Sequence, residues 1–241
     1  MIRGMFRFGL IASASGLLSV GCAHAPVTAM PQPAQASPNL GVLFHEPFQR
    51  LDPVQWREVQ VRGRTVYSID ATDGSPSLKA HSQAGASILV HSVEFDVREY
   101  PWLSWRWRVD RLVDGENLRR KRGSDASARV YVYFNTKGFP WQKRNLDYVW
   151  SLTLPVGTEL SSAYTSQSKI IVVESGSERA GQWLSAGRNL LDDYRRLFGE
   201  EPPKAAAIGL MVDTDNTRSE AIARFDDVLI SREPPAAASS E

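Results

Sequence analysis

Along residues 101–110, Pro-Trp-Leu-Ser-Trp-Arg-Trp-Arg-Val-Asp, apolar and polar side chains alternate. Leu103, Trp105, Trp107 and Val109 fall on one face of a strand, and Ser104, Arg106, Arg108 and Asp110 on the other. Such a strand belongs in a sheet that buries one side and shows the other. The same period runs through 128–135, where Ala128, Val130, Val132 and Phe134 oppose Arg129, Tyr131, Tyr133 and Asn135. Further β-rich segments at 41–48, 56–61, 65–69, 77–80, 86–93, 148–154, 207–212 and 221–231 are separated by turn residues. Residues 169–174 form a β-branched run suited to burial on both faces. The pattern predicts an all-β, mainly antiparallel, jelly-roll-like β-sandwich. One short α-helix interrupts it near 189–198. Asn189 stands as N-cap, Leu190, Tyr194 and Leu197 keep helical spacing, Gly199 suits an αL end, and Pro202-Pro203 forbids continuation. A helix this short persists only by packing an apolar stripe on the sandwich.

Both ends depart from the alternation. Arg3 and Arg7 precede an apolar stretch from Phe8 to Val20 that is too short to span a bilayer comfortably, so residues 1–21 read as an export signal. Cys22 follows Gly21 and is the chain's single cysteine, which excludes a disulfide within it. A cysteine so placed resembles the lipobox of bacterial lipoproteins, where the signal is cut before a cysteine whose thiol takes a diacylglyceryl group. Ser19, with Leu18 one place further out, departs from the usual lipobox pattern. Pro26 disfavours the alternative of cleavage after Ala23-His24-Ala25. Residues 22–41, with Pro26, Pro31, Pro33 and Pro38, read as a disordered tether, 42–232 as a single β-sandwich domain, and 233–241 as a disordered tail. The expectation is an exported lipoprotein anchored to the membrane through Cys22. Ala23 rather than an aspartate after it, by resemblance to enterobacterial sorting, favours the periplasmic face of the outer membrane.

Charge narrows the partners. Twenty-eight Lys and Arg against 27 acids give a formal net charge of +1, and without residues 1–21 it becomes −1. No basic field advertises nucleic acid. Arg119-Arg-Lys-Arg122 lacks neighbouring aromatic platforms and reads as a loop, suited at most to anionic lipid headgroups or lipopolysaccharide.

Enzyme signatures are absent: there is no Gly-x-Ser-x-Gly, no His-Glu-x-x-His and no Gly-rich phosphate loop, so no catalytic residue and no cofactor is assigned. His45, His81 and His91 are dispersed without metal-ligand spacing. Asp213-Thr-Asp-Asn-Thr217 offers oxygens to Ca²⁺ but lacks the glycine and terminal glutamate of an EF-hand loop. Such residues after a strand more commonly build turns through their own backbone N–H groups, so no metal is expected.

Candidate ligand contacts lie on the polar strand faces: Arg106, Arg108, Arg129 and Tyr131, joined by Trp150. Aromatic rings stack on the apolar faces of sugars, and guanidinium forks hold hydroxyls, carboxylates or phosphates. The competing reading has these arginines paired across strands with Asp147 or Asp213, covering the sheet and no more.

Six stretches occur in a recognisable order: Leu103-Ser-Trp-Arg-Trp-Arg-Val109, Ala128-Arg-Val-Tyr-Val-Tyr-Phe134, Leu146-Asp-Tyr-Val-Trp150, Asn189 to Gly199, Asp213-Thr-Asp-Asn-Thr217 and Phe225-Asp-Asp-Val228. Together they resemble the bacterial family catalogued as domain of unknown function 3047, over residues 42–231. That resemblance implies membership and no activity. More loosely, Phe225-Asp-Asp-Val228 and Phe44-His-Glu-Pro-Phe48 resemble the last and first strands of galactose-binding-like, jelly-roll carbohydrate-binding modules. The leading expectation is a non-catalytic module for a saccharide or another envelope ligand. The alternatives are an envelope glycoside hydrolase or lyase using an acid pair such as Asp147 and Asp213, and a structural or assembly factor.

Overall fold

The alternation at 102–111 is realised as a strand whose burial alternates with it. Leu103, Trp105, Trp107 and Val109 are buried, while Ser104, Arg106, Arg108 and Asp110 are half-buried. The computed structural model describes residues 41–72, 74–136 and 143–235. Cys22, the export signal, the tether up to residue 40 and the tail from 236 lie outside the described residues.

One sheet contains β1 (Val42–Glu46), β3 (Thr65–Asp70), β4 (Ser77–Gln83), β6 (Trp102–Arg111), β11 (Leu184–Asn189) and β13 (Glu220–Ser231), in the order β11-β6-β13-β4-β3. β13 is its axis: β6 lies along one side, and β4 and then β1 share the other. The second sheet runs β2 (Trp56–Arg62), β5 (Ala86–Phe95), β12 (Ala205–Asp213), β7 (Ala126–Phe134), β8 (Asn145–Ser151), β10 (Ser168–Ser175) and β9 (Glu159–Ser161). Every named pairing is antiparallel except that of β8 with β10. The fold is the mostly antiparallel β-sandwich that the period-two pattern predicts, with β9 and β11 as short edge strands that the pattern does not mark.

Aromatic rings fill the space between the sheets. Trp105 meets Trp107 edge-on at 5.3 Å and Tyr148 at 5.4 Å, and Trp107 meets Trp150 at 5.9 Å. Val130, Val132 and Phe134 of β7 complete this core from the second sheet. The rings thus join β6 of one sheet to β8 of the other, and their burial is a main source of the sandwich's stability.

The helix is α1 (Leu190–Phe198), and its ends are built as the sequence implies. Asn189 Oδ1 accepts from the N–H groups of Leu191 and Asp192, each at 3.1 Å, and Gly199 adopts φ 71° and donates to the Arg195 carbonyl. Leu190 and Tyr194 are buried, with the Tyr194 ring centred 4.5 Å from that of Phe134 and tilted 59° to it. Asp193, also buried, accepts from Tyr148 Oη at 2.9 Å and from Arg188 Nε at 2.9 Å, pinning the helix to the sandwich.

Candidate functional site

The five contact residues expected from sequence do not share a surface. β6 and β7 belong to different sheets and turn their apolar faces toward one core, so their polar faces point apart. Arg106 and Arg108 lie on the outside of the six-stranded sheet, and Arg129 and Tyr131 on the outside of the seven-stranded one. Trp150 lies on neither. It is fully buried against Trp107, and its indole N–H donates to the Gly176 carbonyl at 3.0 Å. The cause is Val149, which packs outward with Leu118, Ala126, Ile170 and Val172 in a second apolar cluster and so turns Tyr148 and Trp150 inward. The expectation that Trp150 touches a ligand is therefore corrected.

On the six-stranded sheet the arginines are occupied. Arg106 Nη1 stands 3.5 Å from Asp226 and 3.3 Å from Asp227, with the guanidinium carbon 5.1 Å from the centre of the Trp183 ring. Arg108 pairs with Asp110 of its own strand. Partly exposed pairs of this kind are worth a few tenths of a kcal/mol to about 1 kcal/mol each.

The seven-stranded sheet carries a groove of ≈ 620 Å³ on its outer face. Tyr131 and Tyr133 lie on it side by side, rings 5.5 Å apart and within 22° of parallel. They rest over Gly209 of β12, which pairs with Tyr131 in register. A Cβ on Gly209 would stand 3.1 Å from the Tyr133 ring, 3.3 Å from Tyr131 Cβ and 3.0 Å from Ile88 Cγ2. A glycine in a strand interior is otherwise unfavourable, and here it leaves the room the two rings use. A second groove, of ≈ 630 Å³, lies between β2 and β3; Leu51, Pro53 and Val66 wall it with Arg57, and Arg64 and Glu58, also in its lining, are paired with each other.

Beside the tyrosines sits Arg129, with only 4% of its side chain exposed. Its Nε donates to Asp213 Oδ1 at 3.0 Å, its Nη2 to the Ser124 carbonyl at 2.8 Å, and its Nη1 to Asp147. Asp213 Oδ1 also accepts from Ala126 N at 2.9 Å. Burial disfavours both carboxylates and outweighs the pull of Arg129. It pushes Asp147 up to about 6 and Asp213 up to about 7, with the negative charge of Asp125 adding to the rise at Asp213.

One guanidinium thus holds both members of the acid pair Asp147 and Asp213. A glycosidase pair faces across the scissile bond with substrate between the carboxyls, whereas here Arg129 is bonded to both. This is the geometry of a structural ion triad.

The turn after β12 differs from its sequence reading. Its Asn216 and Thr217 backbone N–H groups bond Asp125 of the preceding loop, which accepts from Asn216 N at 3.2 Å, Asn216 Nδ2 at 2.9 Å and Thr217 N at 2.7 Å, while Asn216 Nδ2 also donates to Asp215 Oδ1 at 3.0 Å. Carboxylate oxygens of Asp125, Asp213 and Asp215 come within 4.8 Å of one another. The Tyr164 hydroxyl, from the loop between β9 and β10, donates to Asn216 Oδ1 and closes the same end of the groove. Tyr133 shares the period of Tyr131 and could be found from it. Asp125 and Tyr164 come from loops, where no periodicity announces them.

Several solved structures are similar in fold. The family 30 carbohydrate-binding module of the cellulosomal cellulase Cel9D-Cel44B of Clostridium thermocellum is 12% identical, with a TM-score of 0.47 over 79% of this chain and 99% of that one. The CBM22-1 xylan-binding domain of Paenibacillus barcinonensis Xyn10C is 12% identical, with a TM-score of 0.41 over 80% and 95%. The xyloglucanase domain of NopAA from Sinorhizobium fredii is 8% identical, with a TM-score of 0.42 over 73% and 92%. These likenesses concern the fold and carry no ligand with them. No curated protein matches the chain in sequence. The profile of one family matches residues 54–229, a span that crosses both sheets and includes every residue named in the groove, and the chain belongs to that family, described as protein of unknown function (DUF3047).

Proposed function

We propose that the protein is a non-catalytic saccharide-binding module whose site is the groove on the seven-stranded sheet. The observation that carries this is the stacked pair Tyr131 and Tyr133 over Gly209, an apolar platform set beside hydrogen-bonding side chains in a concavity of ≈ 620 Å³. Sugar rings present apolar C–H faces to aromatic rings and hydroxyls at their edges. Arg62, Asn145 and Asp215 stand around the platform to meet those edges.

The test is affinity electrophoresis and titration calorimetry against a glycan panel that includes peptidoglycan fragments. Tyr131→Ala and Tyr133→Ala are expected to weaken binding by at least about tenfold, near 1.4 kcal/mol. Arg106→Ala, on the opposite face, should leave it unchanged. If the tyrosine variants bind as tightly as wild type, or Arg106→Ala abolishes binding, the groove is not the site.

We also infer that the module is held at the cell envelope, on the periplasmic face of the outer membrane, through a diacylglyceryl group on Cys22. The support is the run Arg3, Arg7, Phe8 to Val20 and Gly21-Cys22. Labelled palmitate should enter the wild-type protein and be lost from Cys22→Ser, with the variant moving from the membrane to the soluble fraction. Equal fractionation of the two proteins, with no label in either, removes the anchor.

A further inference from the structure

We infer that the groove selects a saccharide bearing a free amine, a glucosamine-type unit whose ammonium is received by Asp147, Asp213 and Asp215. This rests on the saccharide reading and adds the class of sugar.

Charge balance is the first ground. Asp125, Asp147 and Asp213 are buried and Asp215 has 11% of its side chain exposed, so four carboxylates gather around the single buried guanidinium of Arg129. A second cation, Arg62, stands 4.0 Å from Asp215 with 69% of its side chain in solvent, where its charge is largely screened. The end of the groove therefore holds more buried negative charge than it neutralises, a state that burial makes costly.

The second ground is independent of that count. Asp147 Oδ1 is buried without a hydrogen bond of full geometry, the Tyr131 hydroxyl being the nearby donor, on a side chain that is 2% exposed and lines the groove. An unsatisfied buried acceptor costs about 1–3 kcal/mol, and more for a charged one, until a donor reaches it. At Asp213 both protein donors come to Oδ1, which leaves Oδ2 for a ligand. An ammonium brings three donors and one positive charge. A hydroxyl brings one donor and no charge.

A divalent ion fits less well, although the oxygens of Asp125, Asp213 and Asp215 are close together. Both Asp125 oxygens already accept N–H groups of the 216–217 turn, and Arg129 Nε lies 3.0 Å from Asp213 Oδ1. Ca²⁺ asks for about six to eight oxygens, more than these carboxyls have left to offer. The stacked tyrosines lie next to the acids, so a sugar ring on the platform brings its substituents toward them.

Binding should be linked to protons. Arg129 and Tyr131 face the three carboxyls from β7, Asp125 from the loop before it, Arg62 from β2, and Tyr164 from the β9–β10 loop. Burial raises all three carboxyls, so a protonated fraction must ionise when an ammonium arrives. Affinity therefore rises with pH toward about 6 to 7 with release of protons, and falls again above it, where the sugar amine, less basic than an alkyl amine, loses its own charge.

The experiment is calorimetry of the EDTA-treated full chain with β-1,4-linked tetramers of glucosamine and of N-acetylglucosamine, in two buffers of different ionisation heat. The glucosamine tetramer is expected to bind at least about tenfold more tightly near pH 6, where its amines are charged, with proton release. Asp215→Asn at the rim and Asp147→Asn should each abolish the preference. Tyr131→Ala should weaken both tetramers. Equal affinity for the two tetramers, still lost in Tyr131→Ala, overturns the amine inference and leaves the saccharide reading standing. Binding of other glycans but of neither tetramer overturns it as well, and binding of no glycan removes both readings. Stoichiometric binding of Ca²⁺ alone, lost in Asp215→Asn, assigns the carboxylates to a metal and overturns the inference.

Discussion

Arg129→Met is expected to lower the unfolding free energy by about 3–5 kcal/mol near pH 7, the cost of stranding buried charges after their partner is removed. Arg129 is the common partner of Asp147 and Asp213, whose side chains are only 2% and 7% exposed. Urea denaturation followed by tryptophan fluorescence measures the loss. Its pH dependence identifies the cause. In the wild type both carboxyls titrate above the ordinary aspartate range, so the native state binds protons more readily than the unfolded chain. Their contribution to stability is fully present below about pH 4 and is lost as pH rises through about 6 and 7. Without the guanidinium the same slope should steepen, so the gap between variant and wild type narrows toward pH 5. The triple variant Arg129→Met, Asp147→Asn, Asp213→Asn should recover much of the loss, because no charge is then left buried alone. A single Arg129→Met variant as stable as wild type at pH 7 contradicts the buried triad.

Trp107→Ala is the second large effect, about 3–5 kcal/mol, from removing a core indole whose neighbours cannot collapse to fill the space. Trp107 is 1% exposed and touches Trp105 from its own strand and Trp150 from the other sheet. Trp105 is equally buried, but its Nε1 has no hydrogen-bond partner. Trp105→Phe therefore gives up volume while relieving an unsatisfied N–H, and should cost less than Trp107→Ala by at least about 1–2 kcal/mol. Thermal melts of the two variants give the comparison; equal losses would mean the Trp105 nitrogen is satisfied.

These two sites also mark how far the sequence could be read. Period-two alternation at 101–110 and 128–135 located the strands observed at 102–111 and 126–134 and named their core faces, because a sandwich strand must segregate apolar from polar residues. The caps of α1 were equally plain, since Asn189 and Gly199 act within one turn of chain. Alternation describes a single strand, however, and the candidate site depends on which sheet each strand joins. Arg106 and Arg129 look alike beside their apolar neighbours. Once Trp107 and Val130 share a core from opposite sheets, the two arginines must lie on opposite outsides. β8 resisted reading because apolar residues line both its faces: Trp150 packs in the sandwich and Val149 beneath the outer loops. β9 has three residues and β11 contains Gly187 and one large apolar residue, Leu184, so neither carries a periodic signal. Asp125 and Tyr164 reach the groove through loop geometry, which depends on the finished fold.

The place of β13 bears on when that fold can form. It lies between β6 on one side and β4 with β1 on the other, so the strands it joins have no direct pairing with one another across it. While the ribosome is still making residues before 220, β4 and β6 each present an open edge of unpaired backbone groups. The six-stranded sheet cannot close on a growing chain. Closure has to await residues 220–231, so the tryptophan-rich strand gains its partner on that edge only from a segment more than a hundred residues later in the chain.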